Sequence, residues 1–232
     1  MGEIYRGFLH AIELIMAGDS ELIEITSLSL GVTGVALLFS TVVGVPLGSY
    51  MGLKRFFGRS GVIAILYTGM GFPPVVVGLF VYLMLSRVGP FGFMGWLFTP
   101  KAMVISQVII SFPLVAGFTM AAVMSVDPNL RKQVKSLGAT EWQATLAILK
   151  EARIGVMVAI IAGFGSIISE VGSVMLVGGN IKGSTRVLTT AIVLETRKGN
   201  FELAMALGIV VLSLAFIANL FMLKLQGRTF DE

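Results

Sequence analysis

The sequence has little charge for its length. Only 13% of its 232 residues are Asp, Glu, Lys or Arg, against about 25% in an average soluble domain. Hydrophobic residues make up 56% of the chain, and its mean hydropathy is +0.92. Such a composition excludes a disordered chain and argues against an ordinary soluble domain, because there are too few solvated side chains to cover a water-exposed surface. The sequence therefore indicates a membrane protein.

Cysteine is absent and histidine occurs once, as His10. The lack of cysteine excludes disulfides, thiolate metal sites and cysteine nucleophiles. A membrane enzyme would need several His, Asp or Glu side chains at one depth, and a single histidine near the N-terminus does not provide them. The ATP-binding pattern GxxxxGK[ST] is also missing, since in the similar segment 179–185 the lysine precedes the glycine. We therefore expect neither an enzyme nor a bound cofactor, and ATP could act only through another polypeptide.

Five apolar runs are long enough to cross a bilayer. Each exceeds the ~20 residues that a helix needs to span the hydrocarbon core, although the fourth contains one acid, Glu170. Lipid offers no hydrogen-bond partners to free backbone groups, so these spans must be helices. The predicted fold class is an all-α integral membrane protein with about five transmembrane helices. The runs are 25–53, 60–86, 102–126, 154–177 and 203–223.

The N-terminal segment differs from these runs. Residues 5–16 are apolar but contain Arg6, His10 and Glu13, which predicts an amphipathic helix at the membrane surface, with a short extra span as the alternative. The loops after the first and third spans, together with the tail, carry most of the basic residues. We therefore expect the N-terminus outside and the C-terminus in the cytoplasm. The predicted divisions are an interfacial helix at 1–21, a transmembrane domain at 22–226 and a cytoplasmic tail at 227–232.

Prolines lie inside three of the predicted spans, as Pro46, as Pro73 with Pro74, and as Pro113. Each proline removes a backbone donor and disfavours helix at the residue before it. Two interpretations stay open. The prolines form packing kinks of the kind that membrane helices tolerate, or they bend the helices around a transport pathway.

The basic loop at 127–153 predicts two short helices joined by a tight turn. Asp127 and Pro128 are typical of a helix start, and Gly138 is typical of a helix end in left-handed geometry. Thr140 and Gln143 have the spacing of a capping box. A loop tethered at both ends to the bilayer is poorly placed to enter a DNA groove, so we do not expect nucleic-acid binding. The remaining interpretations are a surface loop and a docking element for a cytoplasmic partner.

The segment SLGATEWQATLAIL resembles the coupling loop of ATP-binding-cassette (ABC) importer permeases. The family pattern runs Glu-Ala-Ala, three residues, Gly, nine residues and Ile-x-Leu-Pro. Gly138 and Ile148 match it, whereas 132–134 and 150–151 depart from it. The resemblance implies that this segment docks into a groove of a separate ATPase subunit. The residues expected to couple transport to the ATPase are Leu137, Gly138, Ala139, Thr140, Glu141 and Trp142.

The stretch 169–200 resembles the molybdate/tungstate branch of the same family and is most similar to tungstate-uptake permeases. The resemblance rests on Glu170-Val-Gly172, on the Gly-Gly-Asn-Ile turn at 178–181 and on the Thr-rich segment 185–192. It implies a type I ABC importer permease fold with a cytoplasmic coupling helix, in the inner membrane of a prokaryote. It also implies three partners: a second copy of the chain, two ATPase subunits that hold ATP and magnesium, and an extracytoplasmic oxyanion-binding protein.

Glu170 is the one acid inside a predicted span, where an unpaired carboxylate costs about 3 kcal/mol on insertion scales. It could cap a broken helix or tie two helices together, it could act as a gate facing the pathway, or it could relay protons. The hydroxyls nearby could cap helices or donate to an oxyanion. The candidate pathway residues are Ser169, Glu170, Gly172, Ser173, Thr189 and Thr190, and Lys182 and Arg186 could attract an anion to the outer mouth.

The sequence thus predicts the membrane subunit of an ATP-driven oxyanion importer. Tungstate is the expected substrate, and molybdate, sulfate and phosphate are the alternatives. A channel or an ion-coupled transporter working alone is the rival class, but it would usually carry several charges inside the membrane.

Overall fold

The computed structural model describes residues 2–225, in which the regular elements are helices only. The all-α prediction is confirmed for this part of the chain, and the predicted tail 227–232 lies outside it. Three helices, α2, α5 and α11, are each long and apolar enough to cross a membrane. The helices are α1 Gly2–Ala17, α2 Ser20–Leu53, α3 Arg59–Met70, α4 Pro74–Leu85, α5 Pro100–Met124, α6 Pro128–Ser136, α7 Glu141–Glu151, α8 Arg153–Ile168, α9 Gly172–Gly178, α10 Leu188–Lys198 and α11 Phe201–Leu225.

The predicted second span is divided into two helices, α3 and α4, which meet at an angle of 101°. The break follows from the residues between them. Gly71 ends α3, and Pro73 and Pro74 cannot supply the amides that would continue the helical hydrogen bonds. Pro46 and Pro113, in contrast, lie inside the continuous helices α2 and α5. One proline pair therefore makes a sharp bend, whereas the two single prolines do not end their helices.

The predicted fourth span is also interrupted. Helix α8 begins directly after α7, at 65° to it, and ends at Ile168. Three residues, 169–171, then separate it from the short helix α9. The expectation of one helix through 154–177 is therefore corrected to two helices with a break at Glu170.

Helices α2 and α5 pack closely along a stripe of glycines on α2, Gly44, Gly48 and Gly52. A Cβ atom at Gly48 would lie 2.3 Å from the carbonyl oxygen of Ala116, so only glycine fits there. Small residues at spacing four let membrane helices approach to backbone contact. The hydroxyls of Ser40 and Ser111 add a 2.7 Å hydrogen bond across the same interface. Helix α5 thereby becomes the most buried of the three long helices.

The two connections of interest lie at opposite ends of the bundle. Val123 near the end of α5, Ile148 of α7 and Ala152 form one apolar cluster together with Leu53, at the end of α2. At the other end, Leu22 near the start of α2 packs with residues of α10 and with the first half of α11, and the last turn of α1 joins this second cluster. The loop 127–153 and the connection 179–200 are therefore separated by the length of the bundle.

Candidate functional site

The loop between α5 and α8 forms an elbow made of α6, α7 and the turn 137–140. The Asp127 carboxylate accepts the amide of Asn129 at 2.8 Å and starts α6. Gly138 has a φ of +86°, the left-handed geometry expected at the end of α6. The Thr140 hydroxyl accepts the amide of Gln143 at 3.3 Å, and the Gln143 side chain accepts the amide of Thr140 at 2.8 Å. The predicted helix start, glycine turn and capping box are thus all present.

Glu141 joins the two helices of the elbow. Its carboxylate accepts a hydrogen bond from Arg131 Nη2 at 2.6 Å and another from Lys135 Nζ, and both donors lie on α6. The hydrogen bond from Lys135, and then that from Arg131, lower the pKa of Glu141 to about 2. The sequence alone did not indicate this pairing, because neither partner lies at the helical spacing of three or four residues.

The elbow has one buried and one exposed face. Ala144 and Ile148 are buried, and Ile148 packs against the ends of α2 and α5. Leu137, Trp142 and Leu146 are exposed to 88%, 68% and 45%. Large exposed apolar side chains on a well-capped turn are typical of a protein contact surface. The elbow is therefore packed against the bundle on one side and exposed on the other. Ala139, in the turn, is half-buried.

The break in the fourth span is organised by Glu170. Its Oε1 accepts the backbone amide of Ser173 at 2.9 Å and so caps the start of α9. The Thr189 hydroxyl, from α10, donates to the backbone carbonyl of Glu170 at 2.6 Å. Ser169 is exposed, and its hydroxyl donates within α8, to Gly165 O at 2.8 Å. The carboxylate and the hydroxyl thus satisfy backbone groups that the break would otherwise leave unpaired.

Helix α9 packs on α4 at van der Waals distance. A Cβ atom at Gly78 would lie 2.5 Å from Ser173 Cα, and one at Gly172 would lie 2.5 Å from Val75 Cγ2. Ser173 is fully buried, and its hydroxyl has no hydrogen-bond partner among the described residues. Gly172 and Ser173 thus lie in a tight helix contact, and Gly78, which the sequence analysis did not single out, is its third member.

The threonines of the following connection hold its turn together. Thr185 Oγ1 donates to Gly178 O at 2.5 Å and accepts the amide of Ile181 at 3.0 Å. Thr190 Oγ1 accepts the amide of Val187 at 3.1 Å at the start of α10. Both threonines are fully buried. Each of these hydroxyls therefore has a structural partner, in line with the capping interpretation of the threonines.

Lys182 and Arg186 converge on Glu21, at the start of α2. The Lys182 Nζ atom lies 2.8 Å from one oxygen of the carboxylate, and Arg186 Nη1 lies 3.2 Å from the other. These ion pairs fasten the 179–187 turn to the first long helix. Their acidic partner was missed at the sequence level, because 161 residues separate Glu21 from Lys182 and no local pattern joins them.

Glu195, in α10, is the one acid in the connection between α9 and α11. Its carboxylate accepts Lys198 Nζ at 2.8 Å and Asn200 Nδ2 at 3.1 Å. The hydrogen bond from Lys198 lowers the pKa of Glu195 first, and the Asn200 bond and the charges of Lys198 and Arg186 lower it further against the opposing effect of burial. Within residues 2–225, no group of three or more His, Cys, Asp or Glu side chains could hold a metal ion.

Comparison with protein families gives a match over residues 44–231 to the binding-protein-dependent transport system inner membrane component. The match covers most of the chain, including the elbow and the broken fourth span. The chain belongs to this family. It is therefore a multi-pass inner-membrane permease and a transport subunit, as the sequence predicts, and in such systems the ATPase is a separate subunit.

Three curated relatives cover nearly the whole permease. A Haloferax volcanii protein described as "Probable anion ABC transporter permease protein" is 44% identical over 90% of this chain and 92% of its own length. The tungstate uptake system permease TupB of Peptoclostridium acidaminophilum is 38% identical over 97% of this chain and 99% of its own. The molybdenum transport system permease ModB of Escherichia coli K12 is 30% identical over 83% of this chain and 88% of its own.

Solved structures confirm the fold class. The permease matches a chain of a bacterial ABC transporter that imports alginate with a TM-score of 0.72 and 24% identity, over 96% of this chain and 84% of the other. It matches a chain of the methionine ABC transporter MetNI with a TM-score of 0.70 and 17% identity, over 88% and 94%. The type I ABC importer permease fold expected from the sequence is therefore confirmed.

Proposed function

We propose that this permease forms the membrane pathway of an ATP-driven importer for a tetrahedral oxyanion, and that the oxyanion is tungstate. The observation that carries the proposal is the similarity to the tungstate uptake permease TupB, which runs over 97% of this chain and 99% of the relative. The 44% identity to an anion permease supports the same substrate class.

The elbow supplies the coupling in this proposal. Leu137, Gly138, Ala139, Thr140, Glu141 and Trp142 would contact an ATPase subunit, with the exposed Leu137 and Trp142 as its apolar contacts. The ion pairs of Glu141 with α6 keep the two short helices together as one body. Because α8 begins two residues after α7, a displacement of the elbow is passed directly to the fourth span.

The break at residues 169–171 is the proposed moving point of the pathway. Its candidate residues are Ser169, Glu170, Gly172, Ser173, Thr189 and Thr190. Because a carboxylate repels an anionic substrate, Glu170 is not expected to bind the oxyanion. It would act instead by holding or releasing the start of α9. Tilting of α8 would strain the hydrogen bonds of Glu170 to Ser173 and Thr189 and so change the width of the path.

The proposed assembly has two copies of this permease, two ATPase subunits that hold ATP and magnesium, and an extracytoplasmic receptor for the oxyanion. The proposed orientation has the N-terminus outside and the elbow in the cytoplasm, with residues 1–21 at the membrane surface. The separation of the elbow from the 179–200 connection by the length of the bundle supports opposite partners at opposite faces.

Molybdate is the second candidate substrate. It is favoured by the 30% identity to the molybdenum permease ModB over 83% of this chain. The two anions share shape and charge, so the receptor is the component expected to discriminate between them.

Transport in proteoliposomes tests the proposal. Vesicles that contain the permease with its ATPase should accumulate tungstate only when both ATP and the receptor are present. Calorimetric titration of the receptor with tungstate, molybdate and sulfate then ranks the substrates. Uptake without ATP, or a receptor that binds none of the three anions, would contradict the proposal.

A further inference from the structure

A cavity of about 490 Å³ lies between α9 and α10, beside the 179–187 turn. Three cationic side chains line it, Arg186, Arg197 and Lys198, together with Asn180 and apolar residues that include Met175. A water molecule takes up about 30 Å³ of liquid volume, so the cavity has room for a small hydrated ion. The three cations give the lining of this cavity a positive charge, which is the charge that attracts an anion.

Arg186 is the most buried of the three cations, with 11% of its side chain exposed. Its Nη1 bonds to Glu21, but its Nε is buried and has no hydrogen-bond partner among the described residues. A buried charged donor without a partner is costly, because it has lost water and gained nothing in return. An acceptor brought in from solution would remove that cost.

The other two cations differ in how firmly they are held. Lys198 bonds to the Glu195 carboxylate at 2.8 Å. Arg197 is exposed, and its side chain makes no ion pair or hydrogen bond within residues 2–225. It can therefore move to meet a ligand without breaking a contact. Of the acids near the cavity, Glu195 pairs with Lys198, and Glu21 is shared by Arg186 and Lys182. Glu24 lies beside the same turn, with its Oε1 3.7 Å from the Cβ position of Gly183. Arg197 is therefore the cation lining the cavity that has no acidic partner among the described residues.

We propose that this cavity is a binding site for a tetrahedral dianion, in which Arg186 and Arg197 are the principal donors. Arg197 has no acidic partner, Arg186 has a buried donor without a partner, and planar guanidinium groups suit the paired oxygens of a tetrahedral oxyanion. The inference rests on the proposed function and deepens it. The anion released by the receptor would pause here, on the permease itself, before it enters the pathway.

Equilibrium dialysis tests the site without the receptor. The complex of permease and ATPase, in lipid nanodiscs and without receptor or nucleotide, is dialysed against tungstate, and bound tungsten is measured by mass spectrometry. Saturable binding is expected in the wild type. Sulfate should compete with it because it has the same shape and charge, whereas chloride at equal ionic strength should compete far less.

Four variants are expected to have different effects on the affinity for tungstate. Arg197→Gln should weaken tungstate binding about fivefold or more, and Arg197→Lys, which keeps the charge but not the planar fork, should weaken it less. Glu195→Gln should strengthen binding, because it removes a negative charge while its amide oxygen can still accept a hydrogen bond from Lys198 or Asn200. Arg87→Gln is the matched control. Arg87 is exposed and lies in the loop after α4, away from the cavity, so the variant should bind as the wild type does.

Several results would overturn the site. Absence of saturable binding in the wild type would do so, as would equal effects of Arg197→Gln and Arg87→Gln. A variant that loses affinity for the receptor but binds tungstate normally would assign these cations to a protein contact instead. Failure of the proposed function is a separate result, since it would appear as absent receptor-dependent and ATP-dependent uptake by the wild type.

Discussion

Glu170 Oε1 lies 2.9 Å from the backbone nitrogen of Ser173 and accepts its hydrogen bond. An acid in the middle of a membrane span therefore completes the backbone of a broken helix. The Thr189 hydroxyl completes it from the other side, because it occupies the carbonyl of Glu170. Side chains of the permease therefore pair with the backbone groups that the break leaves free.

This capping role predicts losses of stability of different size for two substitutions of Glu170. Glu170→Gln keeps an oxygen that can accept the Ser173 amide, so it should lower stability by less than ~1 kcal/mol. Glu170→Ala removes the acceptor and should cost about 1 kcal/mol or more. Thermal unfolding of the purified transporter in detergent measures both. Ser169→Ala is the control, since that hydroxyl is exposed and bonds only within α8. Equal losses in Gln and Ala would reject the capping role.

Gly48 should tolerate no side chain. A Cβ atom there would lie 2.3 Å from Ala116 O, so Gly48→Ala should force α2 and α5 apart and cost ~1–3 kcal/mol. Gly34→Ala, on the same helix, has no neighbour within 4 Å and should leave stability unchanged or raise it. Unfolding temperatures of the two variants in the same detergent make the comparison. Similar shifts in both would show that the contact contributes little.

The ion pairs of Glu141 predict a pH dependence of the elbow. Its pKa is lowered from 4.5 to about 2, first by the hydrogen bond from Lys135 and then by that from Arg131. A lowered pKa in the folded state means that the stabilisation is present above pH 4.5 and is lost as the pH falls towards 2. Glu141→Gln should therefore melt the elbow earlier than the wild type at neutral pH, and the difference should shrink in acid. Emission of Trp142, in a Trp96→Phe background, follows the melting.

Glu151→Gln is the control for this measurement. Glu151 lies in the same loop and makes no ion pair within residues 2–225. Its replacement should not change the pH profile. A difference between wild type and Glu141→Gln that stays constant from pH 7 to pH 3 would contradict the assignment.

Trp142 should matter for coupling and little for folding. Its side chain is 68% exposed on the bare face of the elbow, so Trp142→Ala should shift the unfolding temperature little. It should, however, weaken contact with the ATPase by about tenfold or more, as the loss of a large aromatic anchor at an interface does. The readouts are co-purification of the ATPase and receptor-stimulated ATP hydrolysis. Ile148→Ala, on the buried face, should show the reverse pattern, with lowered stability first.

The sequence was most informative where a local pattern had one physical solution. Asp127, Gly138 and the Thr140–Gln143 capping box each act within four residues, and all three have the expected geometry. The number and place of the apolar runs follow from the thickness of a bilayer. The all-α membrane fold class could therefore be predicted from the sequence. The resemblance to ABC importer permeases then specified the type of fold.

Contacts between distant elements were not predictable in the same way. Nothing local relates Glu21 to Lys182, or Gly78 to Ser173, because those contacts depend on how the helices are arranged in space. One of these contacts does have a local sequence pattern. The spacing of Gly44, Gly48 and Gly52 is typical of a close membrane helix pair, and in the structure that pair is α2 and α5.

The contact of Gly48 with Ala116 also limits how the molecule can work. Because the carbonyl of Ala116 occupies the space where a Gly48 side chain would stand, the contact resists sliding of α2 along α5. In the proposed coupling, a displacement of the elbow by the ATPase would then be taken up by α8, which packs against α5 and ends at the break around Glu170.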